Sequence, residues 1–399
     1  MIDFNFEKKC YGCSLCAKIC PKKAIQMRKN EEGFLVPIID KEKCINCGLC
    51  EKKCIYLNSK EKNEITNEDK FYFAYRKETD KYKTYNSSGI FTFLAKKFIE
   101  NEDEVCGCIW NDNLEAIHKL SNDEECVKKM SYSKYVQSDI QNIYEEIRIK
   151  LKTKKVLFSG TPCQVAAINN YLNKNELKNL YTIAIVCHGT PSPLVWESYK
   201  KDLEKKFNSK MVDANFRYKG KYGWISPYTK YTFENGKELI RLSFTDDDYV
   251  ITFGEDVLHR NSCYNCKYKG SNSNADIVIG DYWGCSNNVL KQSSNKGVNS
   301  IICHTSKGKE LLTMLKEDFI VGDTTFDNIT RENKPMKQPV MYNIKREKFF
   351  TNFKKNNSIG VLYESRKNKK YKIKSFLYRL YIFELIKRVK YFIKHNRGE

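Results

Sequence analysis

The chain has 399 residues, too many for one small domain, and 41% are hydrophobic, enough to build a sizeable core. Its formal charge of +21 favours anionic partners such as phosphate-bearing cofactors, an acidic redox protein or a membrane surface, and no motif for reading nucleic acid accompanies it. No apolar run approaches the roughly 18 residues that span a bilayer, the N-terminus MIDFNFEKKC has no apolar signal region, and 17 cysteines suit a reducing compartment, so a cytoplasmic location is expected.

Eight of those cysteines stand in two identical ladders at the N-terminal end. The first is Cys10, Cys13, Cys16, Cys20, followed by Pro21; the second is Cys44, Cys47, Cys50, Cys54. Both read C-x2-C-x2-C-x3-C, the spacing of bacterial ferredoxins, whose fourth cysteine ligates the other cluster. Three thiolates two residues apart wrap a short loop around three corners of a cubane, and the fourth sits on the following turn and reaches away. Crossed ligation is therefore expected: Cys10, Cys13, Cys16 and Cys54 on one 4Fe-4S cluster, Cys44, Cys47, Cys50 and Cys20 on the other. Zinc sites use two C-x2-C pairs rather than two sets of four in one rhythm. Each oxidised cubane with its thiolates carries about −2, which removes part of the positive excess.

Between the ladders, AIQMRKNEEGFLVPIID predicts a hairpin turning at Asn30-Glu31-Glu32-Gly33. Residues 1–57 are thus expected to form a two-cluster domain, with the polar stretch 58–70 as a linker. A strand is expected at Phe71–Tyr75. A loop follows in which Asn86, Ser87 and Ser88 stand at capping positions ahead of an apolar-periodic helix, the arrangement that can receive an anion. VCGCIW reads as a strand with Cys106 and Cys108 as packing residues. KKVLFSGTPCQVAAINNYL and LYTIAIVCHGTPSPLVWESYKKDL each read as strand, tight loop, helix. They place Cys163 and Cys187 where a strand gives way to a loop, the position at which α/β folds gather ligands. FRYKGKYGWISPYTKYTFENGKELIRLSF alternates and turns at Asn235-Gly236, a β-rich insertion. Cys263 and Cys266 then form a C-x2-C pair ahead of the strand-like ADIVIGDYWG. The pair is half a zinc site or, with Cys163 and Cys187, the ligand set of a third cubane. Cys126, Cys285 and Cys303 read as buried small hydrophobes.

On Ser87-Ser88-Gly89, Ser133-Lys134-Tyr135-Val136-Gln137-Ser138, FSGTPCQVA, VCHGTPSPLVW, SCYNC and ADIVIGDYWG, residues 71–350 resemble the beta subunit family of coenzyme F420 hydrogenases and dehydrogenases. The resemblance implies an iron–sulfur flavoprotein oxidoreductase that passes electrons between FAD and 4Fe-4S clusters. Carried over by position, the third cubane would be held by Cys163, Cys187, Cys263 and Cys266. FAD would contact Ser87, Ser88, Gly89, Ser133, Lys134, Tyr135, Gly160 and Thr161. The family's usual second glycine is Ile90 here, and the glycine before Ser133 is Tyr132; either change would narrow the flavin pocket. A flavin-free electron carrier or an accessory subunit is the alternative, and a sugar-linked or lipid-linked substrate of surface-polysaccharide assembly fits the same layout. Lys134 is a candidate for stabilising reduced flavin, and His188 for moving protons or bonding a cluster sulfur.

Residues 351–399 are expected to form a basic helical tail. From residue 361 on, twelve Lys or Arg face three acids among Phe, Tyr, Leu and Ile, the pattern of a segment that lies on an anionic membrane or docks on a partner. The fold class expected overall is α+β: a two-cluster ferredoxin-like module, then an α/β flavin and iron–sulfur domain with a β-rich insertion and the basic tail. A redox protein or soluble electron donor or acceptor is the expected partner.

Overall fold

The computed structural model describes residues 8–59, 69–77, 87–220, 223–294, 296–356 and 373. Most of the expected linker, Asn86 and nearly all of the tail beyond residue 361 lie outside them.

In the N-terminal module, strands β1 (Ile25–Lys29) and β2 (Leu35–Ile39) pair antiparallel, Ile25 opposite Ile39 and Lys29 opposite Leu35. The turn closes where the sequence predicts, with the Asn30 side chain accepting from the backbone N–H groups of Glu32 and Phe34. Gly33 takes φ +84° there, and a β-carbon would stand 2.3 Å from that of Leu194. Only glycine lets the turn lie against the helix Pro193–Phe207. Each ladder ends in a short helix, Leu15–Ile19 and Leu49–Lys52.

The larger domain is built on an eight-stranded mixed sheet. In chain order its strands are β3 (Lys70–Arg76), β4 (Glu104–Trp110), β5 (Ala116–Ser121), β6 (Val156–Gly160) and β7 (Leu180–Ile185), then, after the insertion, β11 (Ile277–Asp281), β12 (Asn299–Cys303) and β13 (Phe319–Asp323). Their spatial order is β13-β3-β12-β11-β7-β6-β4-β5. The four central strands β11, β7, β6 and β4 run parallel, and antiparallel pairs flank them. Both faces of the parallel centre are covered, so β6 (VLFSG) is buried at every position and β7 (LYTIAI) at all but its last. The helix Pro162–Tyr171 leaves β6 through a capping box of Thr161 and Gln164, with proline at its first position, where a missing N–H costs nothing. Ser192 caps Pro193–Phe207 by accepting from the Val195 N–H.

The predicted β-rich insertion is a separate antiparallel sheet of β8 (Met211–Tyr218), β9 (Tyr228–Phe233) and β10 (Glu238–Leu242), turning at Gly236 with φ +78°. Two sequence expectations need correction. Ser87 and Ser88 do not cap the helix Ile90–Glu100: its N-cap is Gly89, in the left-handed region, with no side-chain bond, and the Ser88 backbone N–H and hydroxyl both donate to the Asn299 side chain. The tail boundary at 350 cuts the helix Lys345–Asn356, whose Phe349, Phe350 and Phe353 are buried against the insertion core. Among the described residues no helix is long and apolar enough to cross a membrane.

The ferredoxin-like module is seated on the larger domain rather than tethered beside it. Tyr11, Leu15 and Ile55 belong to the main core. Lys53 and Asn170 exchange side-chain-to-carbonyl hydrogen bonds at 2.6 and 2.9 Å. At the hairpin turn, Glu32 forms an ion pair with Arg346 of the C-terminal helix.

Candidate functional site

The two ladders interlock. Cys10, Cys13, Cys16 and Cys54 line one cavity together, and Cys20, Cys44, Cys47 and Cys50 line the other. This is the crossed grouping that the spacing predicts, with each fourth cysteine facing the other ladder's loop. Backbone N–H groups already point at sulfur: Gly12 to Cys10 and Ala24 to Cys20, both at 3.3 Å. Burial raises the Cys13 thiol to about 12 and holds the Cys16 thiol well above its usual range. Cys10 is buried and Cys13, Cys16 and Cys54 are half-buried, and four thiols gathered round one cavity are the donor set of a cubane.

A third cavity lies at the carboxyl ends of the parallel strands. Cys163, on the first turn after β6, Cys187, two residues beyond β7, and Cys263 and Cys266, on the turn Asn261–Asn265 and just after it, all line it. The loop 187–192 is held against residues 258–260 by the N–H of Arg260 donating to Thr190 and that of Ser192 donating to Leu258. This pairing brings two cysteines 76 positions apart in sequence to one wall. The Thr190 N–H points at the Cys263 sulfur at 3.4 Å, and the Thr161 hydroxyl lies 3.2 Å from that of Cys163. Burial pushes the Cys187 thiol up to about 12 and raises Cys163 well above its usual range, and the other thiols of the group add to it.

A fourth cavity, larger than these three at about 530 Å³, opens along the same strand ends. Of the eight expected flavin contacts, Ser87, Gly89, Ser133, Lys134, Tyr135, Gly160 and Thr161 line it; Ser88 does not, being turned onto Asn299. Ile90 and Tyr132 are also in its wall, so the two departures from the family's glycines leave a cavity of ligand size. Burial lowers the Lys134 ammonium to about 8. His118, on β5 opposite Cys108, also lines the cavity. One ring nitrogen lies 3.0 Å from the Ser159 carbonyl oxygen, the other is buried without a partner, and burial lowers the ring to about 4. Cys108 faces this cavity, whereas Cys106 is packed in the core as expected. His188 is 2.6 Å from Asp256, which also holds the buried His259 at 3.2 Å, so its ring is turned to a carboxylate rather than to a cluster sulfur.

Several residues in these walls carry no motif. Arg260 is buried between the first and third cavities, donating to the Cys10 and Leu35 carbonyls and to Gln137. Tyr11 and Tyr268 meet edge to face at 5.6 Å, Tyr11 in the wall of both cavities, and the Tyr268 hydroxyl donates to the Ile55 carbonyl. Arg217, from β8, forms an ion pair with Asp281 at the end of β11 at 2.6 Å, and Trp224 donates to the same carboxylate. The one hint in sequence is proximity, Arg260 to the C-x2-C pair and Asp281 within the GDYWG stretch.

Comparison with known proteins gives two family matches. Residues 9–57 match the 4Fe-4S dicluster domain, and residues 153–325 match the C-terminal part of the beta subunit of coenzyme F420 hydrogenase/dehydrogenase. No curated protein matches the chain. Among solved structures, a chain of the xenon-derivatised F420-reducing NiFe hydrogenase complex from Methanosarcina barkeri aligns at 16% identity and a TM-score of 0.46, over 67% of this chain and 89% of that one. The chain thus joins a 4Fe-4S dicluster domain, residues 9–57, to a match to the C-terminal part of the coenzyme F420 hydrogenase/dehydrogenase beta subunit, residues 153–325.

Proposed function

We propose that this protein is an iron–sulfur flavoprotein oxidoreductase that passes electrons between FAD, in the large cavity, and three 4Fe-4S clusters. The observation that carries the reading is the sharing of walls. Cys13 lines both the first and the third thiol cavities, and Thr161 and Cys187 line both the third and the large one. Cofactors held there would stand in a row, outer ladder cavity to inner, inner to the Cys163 site, and that site to the flavin.

FAD, when bound, supplies the exchange between a two-electron hydride donor and one-electron centres. The residues do the rest. Gly89 opens the 11-residue helix Ile90–Glu100, whose free N–H groups suit a phosphate. Ser133, Gly160 and Thr161 offer polar contacts, and Tyr135, stacked on Phe253 at 4.6 Å, gives one wall an aromatic face. The unpartnered His118 nitrogen fits a ligand with polar ring atoms. Lys134 holds or releases a proton near pH 8 in the same wall. Cys163, Cys187, Cys263 and Cys266 would hold the third cubane, Cys10 to Cys54 the other two.

Iron and flavin analysis of anaerobically purified protein tests this: about twelve iron atoms and one flavin per chain are expected. About eight irons without flavin would make it a flavin-free carrier, and clusters that cannot be reduced would make it an accessory subunit. A screen of hydride donors and acceptors, coenzyme F420 and sugar-linked or lipid-linked compounds among them, would find the two-electron partner.

A further inference from the structure

Four arginines and one lysine are buried among the described residues: Arg76, Arg217, Arg260, Arg346 and Lys269. Three of them hold a carboxylate, Arg76 with Asp318, Arg217 with Asp281 and Arg346 with Glu32. Arg260 and Lys269 hold none; no carboxylate oxygen of the described residues comes within 4.0 Å of either. Arg260, 2% exposed, gives its donors to the Cys10 and Leu35 carbonyls and the Gln137 side chain. Lys269, 7% exposed, donates to the Cys187 carbonyl. Neutral carbonyls satisfy hydrogen bonds but do not neutralise charge, and a buried cation without an anion is among the most costly groups a fold can hold.

What these two cations do face is sulfur. Both line the cavity of Cys163, Cys187, Cys263 and Cys266, and Arg260 also grips the backbone of Cys10, whose thiol belongs to the neighbouring cavity. The packing is close. Gly12, at φ +66°, stands against the guanidinium, where a β-carbon would come within 2.5 Å of it. Among the described residues the outer cavity has no such group: Lys22 in its wall is solvent-exposed.

We propose that Arg260 and Lys269 are built-in counter-cations to iron–sulfur clusters, Arg260 shared between the inner ladder cluster and the Cys163 cluster, Lys269 serving the latter alone. The inference rests on the cluster assignment above. Reduction adds one electron to a cubane and takes it, with four thiolates, from about −2 to about −3, with no bond made or broken. A fixed buried cation stabilises the more negative state, so the Cys163 cluster, beside two, is easier to reduce than the outer cluster, which is beside none. Electrons entering at the exposed ladder then run downhill toward the large cavity.

The test is a redox titration of anaerobic full-length protein, followed by EPR, on Arg260→Gln, Arg260→Lys and Lys269→Gln. Wild-type iron content is read first. About eight irons would overturn the cluster assignment itself; about twelve upholds it and leaves the two cations to be judged separately. Arg260→Gln is expected to disfavour reduction of the inner and Cys163 clusters at least tenfold each, 59 mV for a one-electron couple, and Lys269→Gln to disfavour the Cys163 cluster alone. The outer cluster should not move, and Arg260→Lys, which keeps the charge and loses the fork, should stay within threefold of wild type. Unchanged potentials in iron-replete Arg260→Gln, or an equal fall in Arg260→Lys, would overturn the proposal. If Arg260→Gln loses iron, Arg260→Lys and Lys269→Gln decide: iron loss in Arg260→Lys as well, or an unmoved potential in Lys269→Gln, would overturn it.

Discussion

Arg346 and Glu32, 314 residues apart, form a two-pronged ion pair that closes the C-terminal helix onto the hairpin turn of the dicluster module. The guanidinium is 3% exposed, and its remaining donor bonds the His259 carbonyl at 2.9 Å. Removing the carboxylate leaves that charge buried. Glu32→Ala should therefore cost about 3 kcal/mol in chemical unfolding of the holoprotein, and Glu32→Gln less, since one acceptor remains. A loss below about 0.5 kcal/mol, the range of an ordinary surface substitution, would show that the pair does not secure the module.

Crossed ligation makes an unusual prediction for the fourth cysteines. Cys20→Ala should damage the cluster of the second ladder, Cys44 to Cys50, and Cys54→Ala that of the first. Cys163→Ala should leave both intact and lower the iron content by about four atoms. EPR of the reduced variants distinguishes these outcomes. Damage to the first ladder's cluster in Cys20→Ala would contradict the grouping seen in the cavities.

His118 is held neutral by burial, with its ring lowered from 6.5 to about 4. The unfolded chain takes up this proton below pH 6.5 and the folded chain only near pH 4, so stability falls as pH falls between those values. At pH 5 the wild type should have lost about 2 kcal/mol through this group. His118→Gln should unfold with correspondingly weaker acid dependence between pH 7 and 5, and an identical slope in both proteins would rule the group out.

Burial brings the Lys134 ammonium to about 8, inside the working range, while its Nζ donates to the Lys129 carbonyl at 2.5 Å. If it serves the flavin, the rate of flavin reduction should bend near pH 8 in wild type. Lys134→Met should, in the fraction that holds flavin, lose that bend and slow reduction about tenfold, the low end for a positioned charge or proton donor. A pH profile unchanged by the substitution would leave Lys134 with a structural role only.

The basic aromatic segment 361–399 motivates a prediction of peripheral membrane attachment, with twelve Lys or Arg against three acids. The full chain should sediment with vesicles containing anionic lipid and not with neutral ones, and deletion of 361–399 should abolish this. Equal sedimentation with and without the segment would remove the membrane from the account.

Much of this protein was legible in order along the chain. The ladders at Cys10–Cys20 and Cys44–Cys54 announce themselves because cubane geometry imposes a local spacing. The hairpin at Gly33, the strands at Phe71 and Ile277 and the insertion turning at Gly236 follow from periodicity and turn chemistry over a few residues. The capping reading of Ser87 and Ser88 failed because their partners, the Val298 carbonyl and the Asn299 side chain, each lie 211 residues on in sequence. The boundary at 350 failed because Phe349, Phe350 and Phe353 find a core that the tail's composition does not reveal.

Sequence by itself singled out the residues proposed to carry the chemistry: the two ladders, the Cys163, Cys187 and C-x2-C positions, and the loops at Ser87 and Ser133. Only tertiary structure decided their neighbours. That Cys13 and Cys187 line one cavity, that Arg260 lies between two sets of thiols without a carboxylate, and that Arg346 reaches Glu32 are consequences of packing distant segments together. Ligand spacing is fixed by local chain geometry and is written in the order of residues. The charge and burial around those ligands are set by whatever the fold brings alongside, and no local pattern encodes them.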